Sequence, residues 1–130
     1  MTRTLGGVLE NRADDVPDEV FLRFGESDLT FSMVDEACNR VARGLSRVGV
    51  RAGEPAAIML PNCREYVISW LALAKLGAPV AGLNNTARGQ ALADIINLTG
   101  SRVLIVDAPF LDAVDEVADL LTTLSTVVVR

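Results

Sequence analysis

The chain has 130 residues, of which 50% are hydrophobic and 22% charged, with a net charge of −5. That length fits one domain with a proper core, and the apolar content excludes a disordered polar chain. The acidic balance argues against a protein held to nucleic acid by phosphate contacts, and the absence of histidine removes Ser-His-Asp and Cys-His catalysis and the commonest zinc ligand.

The first predicted element is a helix over Leu5–Ala13, closed by the acidic, proline-containing "DDVPDE". "VFLRF" and "DLTFS" flank "GES", two short strands joined by a glycine-containing turn. Ser32 is placed to cap the next helix with Asp35 at its third position. Val34, Ala37, Val41, Leu45 and Val48 then recur at helical spacing until Gly49.

From there strands and helices alternate. "PAAIML" reads as a strand, and Asn62 with Glu65 as the capping pattern of a helix ending at Leu76, before Gly77 and Pro79. "PVAGL" is the next strand, followed by a helix near Gly89–Thr99 stopped by Gly100. "RVLIVD" is a third strand. Pro109 opens a helix predicted to run to Leu121, and "STVVVR" closes the series. The alternation predicts an α/β fold, a parallel sheet built from right-handed βαβ crossovers. The strands are apolar throughout, so helices are expected on both faces. Residues 1–31 form a helix plus β-hairpin and residues 32–130 an α/β layer. The helix 63–76 is apolar around most of its girth, which calls for a covering neighbour.

Each chemical candidate has a structural alternative. The Pro61–Asn62 corner joins a strand to a helix, where free amides can cradle an anion; it lacks the glycines that admit a phosphate, Glu65 would repel one, and capping satisfies the amides. Asp107 ends a strand at the edge where α/β sheets place ligands, and it also stands where a helix N-cap belongs. Arg40, Arg43 and Arg47 share a helical face, with Arg51 beyond. They would suit an anionic ligand or a peripheral membrane surface, or simply water, with Glu36 pairing Arg40. Cys38 and Cys63 lie in helical patterns without a CxxC motif and read as buried free thiols in a reducing cytosol. Lys75, the only lysine, complements a helix dipole. Neither GxGxxG nor GxxxxGK[ST] occurs. The chain carries no signal peptide pattern and no apolar run long enough for a bilayer, which places it in the cytoplasm. On these grounds no catalytic, cofactor-binding or metal-binding residue is assigned.

An ordered series of short segments carries a resemblance: Thr30-Phe31, Asn39-Arg40, Gly49-Val50, Gly53-Glu54, Pro61-Asn62 and Lys75-Leu76-Gly77-Ala78. The series resembles the N-terminal region of the adenylate-forming acyl-CoA synthetases, in the fatty acid–CoA ligase branch. "LNNTARGQAL" is similar to the long- and very-long-chain subgroup that includes fatty-acid transport proteins. The resemblance implies a partial N-terminal domain without the C-terminal lid domain. It also implies an enzyme that uses ATP and Mg²⁺ to adenylate a fatty acid and CoA to accept the acyl group. The family's phosphate loop, ribose-binding Asp and catalytic Lys lie downstream of the matching segments, so this chain alone is expected to be inactive and to hold no cofactor. Lys75 is not that catalytic lysine. An exposed apolar surface invites homo-oligomers. Two other readings stand beside this one: a stand-alone α/β interaction or regulatory domain, and a small nucleotide- or CoA-binding module.

Overall fold

A computed structural model describes residues 3–130. The first helix, α1 (Leu5–Asp15), starts at Thr4, whose hydroxyl accepts from Gly7 N–H at 3.1 Å. A hairpin follows, β1 (Val20–Phe24) antiparallel to β2 (Ser27–Thr30), turned at Gly25 with φ 58°. Phe21 of the hairpin stacks on Phe31 with ring centroids 4.8 Å apart.

Helix α2 (Phe31–Arg47) begins two residues earlier than expected. Thr30, not Ser32, accepts from the Met33 amide, and Ser32 lies in the first turn with its hydroxyl 3.1 Å from that of Thr30. The buried stripe is Val34, Cys38, Ala42 and Leu45. It drifts by one residue from the predicted one, as a period of 3.6 requires, leaving Ala37 and Val41 half-buried and Val48 exposed. Gly49, at φ 104°, turns the chain out of the helix.

The main sheet is parallel, in the order β4-β3-β5-β6, from β3 (Ala56–Met59), β4 (Val80–Gly82), β5 (Val103–Val106) and β6 (Thr126–Val129). Helix α3 (Arg64–Leu76) connects β3 to β4, and α4 (Gly89–Thr99) connects β4 to β5. Alternate strand residues point to opposite faces. Ala56, Ile58, Val103 and Ile105 join a core with α1, α2 and α3. Ala57, Met59, Leu104 and Val106 join another with α4 and the segment after β5. Helices therefore cover both faces, as the uniformly apolar strands require.

The single helix expected from Pro109 to Leu121 is broken. A 3₁₀ turn (Ala108–Phe110) leads into the short α5 (Leu111–Asp115), and a second 3₁₀ turn (Ala118–Leu120) follows. Asn97 of α4 explains the second half: its side chain donates to Leu120 O at 2.8 Å and accepts from Thr122 N–H at 2.9 Å. Those bonds hold the backbone in a turn that brings Leu121 and Leu124 onto the core. Among the described residues no helix is long and apolar enough to cross a membrane.

Candidate functional site

The strand order places β4 on one side of β3 and β5 on the other, so successive crossovers leave the sheet in opposite directions at β3 and β5. Open α/β sheets bind ligands in the crevice beyond the carboxyl ends of such strands. Here that crevice is bounded by the Pro61–Asn62 corner, the loop after β4, Asp107 and Arg130.

The structure brings three charged side chains together there. Arg130 donates from Nη1 to Asp107 Oδ1 at 2.9 Å, and its Nη2 lies 3.3 Å from Glu65 Oε2. Asp107 is buried and precedes the 3₁₀ turn but makes no side-chain cap bond, because its carboxylate is turned to Arg130. The corner differs from its predicted form as well. Cys63, not Asn62, is the N-cap of α3, with no side-chain cap bond, and Asn62 is exposed. Burial pushes the Glu65 carboxyl up, but its own backbone N–H, the Arg64 and Arg130 guanidiniums and the Cys63 thiol together hold it below its ordinary range. Its carboxylate thus lies against the first turn of α3, where negative charge is favoured.

On the β4 side of the crevice, Asn85 donates from Nδ2 to Leu60 O at 2.8 Å, while its Oδ1 is closed off from solvent without a partner. Arg88 folds back on the Asn85 and Ala87 carbonyls at 2.7 Å, and its guanidinium lies over the Phe110 ring, 5.8 Å from the centroid. Neither the Asn85 contact nor the partnership of Arg130 has a local sequence signal, since both join segments more than twenty residues apart.

The other candidates are dispersed. Lys75 lies near the opposite edge of the sheet, about 16 Å along α3 from its first residue at 1.5 Å per residue. It does more than face the end of its helix dipole: its Nζ is 2.7 Å from Glu10 Oε1 and 2.8 Å from Asp35 Oδ1, with 7% of the side chain exposed. Asp35 Oδ1 is shut off from water, and the ammonium answers its charge although the angle falls outside a good hydrogen bond. Burial pulls the Lys75 pKa down, and the two carboxylates raise it by more. Cys38 is buried, and desolvation pushes its thiol up to about 11, which makes it a poor nucleophile. Cys63 is only half-buried, at the cap of α3 rather than inside it, contrary to the helical pattern. Arg40, Arg43 and Arg47 are exposed along α2, Arg40 lying 3.9 Å from Glu36.

Residues 9–130 match the family model described as AMP-binding enzyme. The chain belongs to that family. It is 37% identical over 116 residues to long-chain fatty acid transport protein 2 of Rattus norvegicus, taking in 88% of this chain and 19% of that protein. It is also 37% identical over 113 residues to the medium/long-chain-fatty-acid–CoA ligase FadD6 of Mycobacterium tuberculosis, across 87% of this chain and 19% of the relative. The anthranilate CoA ligase AuaEII, solved with anthranoyl-AMP, superposes with a TM-score of 0.91 at 27% identity, over 98% of this chain and 25% of that one. The N-terminal domain of FACL13 from Mycobacterium tuberculosis has the same fold, with a TM-score of 0.90 at 23% identity. The chain spans about a fifth of the length of the curated relatives it matches.

The family implies a nucleotide and Mg²⁺, and the crevice does not fit the nucleotide's phosphates. Two carboxylates line it, Arg130 is committed to both, Arg88 is folded back on backbone carbonyls, and Glu65 sits against the helix amides an anion would need. Among the described residues no three His, Cys, Asp or Glu side chains group closely enough to hold a metal. The crevice is an ion-paired closure of the carboxyl edge.

Proposed function

We propose that this chain forms part of the N-terminal domain of an ATP-dependent fatty acid–CoA ligase. In that reading the enzyme adenylates a fatty acid carboxylate with ATP and Mg²⁺ and passes the acyl group to the thiol of CoA. Residues 1–31 and 32–130 contribute one framework, and the reacting groups come from polypeptide beyond the matched residues, including a lid domain. The observation that carries the reading is equal identity, 37%, to a fatty acid transport protein and a fatty acid–CoA ligase across nearly the whole chain.

The test is a chimera in which residues 9–130 replace the matching segment of FadD6. The expected result is fatty-acid-dependent ATP–pyrophosphate exchange by the chimera and none by the isolated chain. A folded chimera without exchange, or robust exchange by the isolated chain, would overturn the proposal.

A further inference from the structure

The charge of this chain is segregated across the sheet. From Arg40 to Arg51 stand four arginines and no acid; from Ala108 to Leu120 stand Asp112, Asp115, Glu116 and Asp119 and no base. All eight of these residues are exposed. Helix α2 packs its buried stripe on one sheet face, and α5 packs Ala113 and Val114 on the other. The acidic group therefore lies roughly 20 Å behind the basic one, at two layer spacings of about 10 Å. At 3.6 residues per turn, Arg40, Arg43 and Arg47 fall within about 60° of the α2 circumference and along about 10 Å of its length. Arg43 is three residues from Arg40 and four from Arg47, spacings at which like charges repel. Elsewhere Arg12, Arg23, Arg64 and Arg130 each lie within 3.5 Å of a carboxylate. On α2, Arg40 reaches Glu36 only at 3.9 Å, and among the described residues no carboxylate lies within 4.0 Å of Arg43, Arg47 or Arg51. The face is also bare. A methyl group placed at Gly44, one turn from both Arg40 and Arg47, would meet no atom within 4 Å. Two exposed apolar side chains flank the row, Met33 at one end and Val48 at the other.

We infer that the outward face of α2, continued by Arg51, is a contact surface for an anionic lipid bilayer. Arg40, Arg43, Arg47 and Arg51 meet the lipid phosphates, and Met33 and Val48 meet the boundary between headgroups and acyl chains. The net charge of −5 does not forbid this contact. At physiological salt the screening length is about 8 Å, so the leaflet interacts with the near arginines and little with carboxylates two layers behind them. The same segregation orients the chain, basic face to the membrane and acidic face to water. A leaflet suits the row because it lies along the outer ridge of a helix, where mobile headgroups come to each cation separately. Nucleic acid is a poorer occupant: no aromatic residue stands between Arg40 and Arg51 to give a base a stacking surface.

The experiment is co-sedimentation with vesicles of phosphatidylcholine alone and of an equal mixture with phosphatidylglycerol, for the chain and for the FadD6 chimera. The chain should sediment with the mixed vesicles and not with the neutral ones, and should be released as ionic strength rises toward about 1 M. Arg47→Gln should lower the partition coefficient about fivefold, and the pair Arg43→Gln and Arg47→Gln together about twenty-fivefold, each cation being worth about 1 kcal/mol beside an anionic leaflet. Arg102→Gln, at an exposed arginine outside the row, should leave binding unchanged. Arg43→Lys with Arg47→Lys should keep it, since a leaflet reads charge, whereas a carboxylate partner gripped by the guanidinium fork would be lost. The substituted side chains are exposed, so each variant is expected to keep the parent's circular dichroism. The two glutamine substitutions should weaken vesicle binding by the chimera in the same proportion; an undiminished chimera would overturn the inference by showing this face covered in the enzyme. Equal sedimentation with neutral vesicles, or displacement by glycerophosphate at matched ionic strength, would overturn it as well, the latter in favour of a free phosphate site. A dimer that Arg47→Gln dissociates, without vesicle binding, would overturn it in favour of a second copy. Vesicle binding needs no catalysis, so its failure leaves the ligase reading standing, and a chimera without ATP–pyrophosphate exchange leaves the membrane face standing.

Discussion

Two cations of this chain each sit between two carboxylates, and the clusters lie at opposite edges of the sheet. Lys75 ties α3 to Glu10 of α1 and Asp35 of α2, with 7% of its side chain exposed. Arg130 ties the end of β6 to Asp107 after β5 and Glu65 of α3, but 39% of its side chain is exposed. The charges and distances are alike; the solvent is not. In the dry cluster the ammonium is the counter-charge of a partly buried carboxylate, so losing it is costly. In the wet one, water and salt reach the Arg130 guanidinium and Glu65, although Asp107, with 12% of its side chain exposed, still needs its partner. The same arrangement is therefore structural at one edge and weaker at the other, where the cation is open to water.

The comparison predicts its largest effect at Lys75. Lys75→Met keeps the stem but leaves Asp35 and Glu10 facing each other without a cation, and should destabilise the chain by about 3 kcal/mol in urea denaturation. Adding Asp35→Asn removes the orphaned charge, and the double variant should recover part of that loss, a coupling that independent sites would not show. Equal midpoints for Lys75→Met and the parent would break the comparison at its dry end.

The next effect is in alkali. The two carboxylates raise the Lys75 pKa above its ordinary 10.5, so the folded state holds this proton more tightly than the unfolded one. The stability it contributes is complete below 10.5 and is lost as pH climbs through the higher folded value. The difference in urea midpoint between parent and Lys75→Met should accordingly be constant from pH 7 to 9 and shrink above 10.5. A difference independent of pH across that range would show that packing of the lysine stem, not its charge, holds the helices.

These clusters also mark where sequence reading stops. Helical and strand periods, Gly49, Gly77 and Gly100 delimited the elements, because those signals act within a few residues. The errors are local competitions: Thr30 against Ser32 for one cap, Cys63 against Asn62 for another, and Asn97 against the helical run after Pro109. Lys75 was legible as a residue near a helix end, but its partners are 65 and 40 positions away, and only folding brings them together. Asp107 was legible as the end of a strand at a ligand-binding edge; its commitment to Arg130 was not. The exposure of β6 follows the same rule, since its Val-Val-Val run reports the burial it is suited to, while Val127 and Val129 stand exposed in the folded chain.

The smallest effect is expected at Arg130. Arg130→Gln removes the counter-charge of Asp107 and Glu65, but the cation it replaces is open to water, and the urea midpoint at pH 7 should fall by less than in Lys75→Met. Acid sharpens the point. The Glu65 carboxyl is held below its ordinary 4.5, so its contribution is present above that value and fades as pH falls through the folded one. Arg130 supplies one of several supports for that depression, after the backbone N–H and Arg64. Arg130→Gln should therefore move the Glu65 titration, followed by carboxyl carbon NMR, upward toward 4.5. A fall in neutral stability as large as that of Lys75→Met would show that exposure does not separate the two clusters, and the contrast drawn from burial would have to be abandoned.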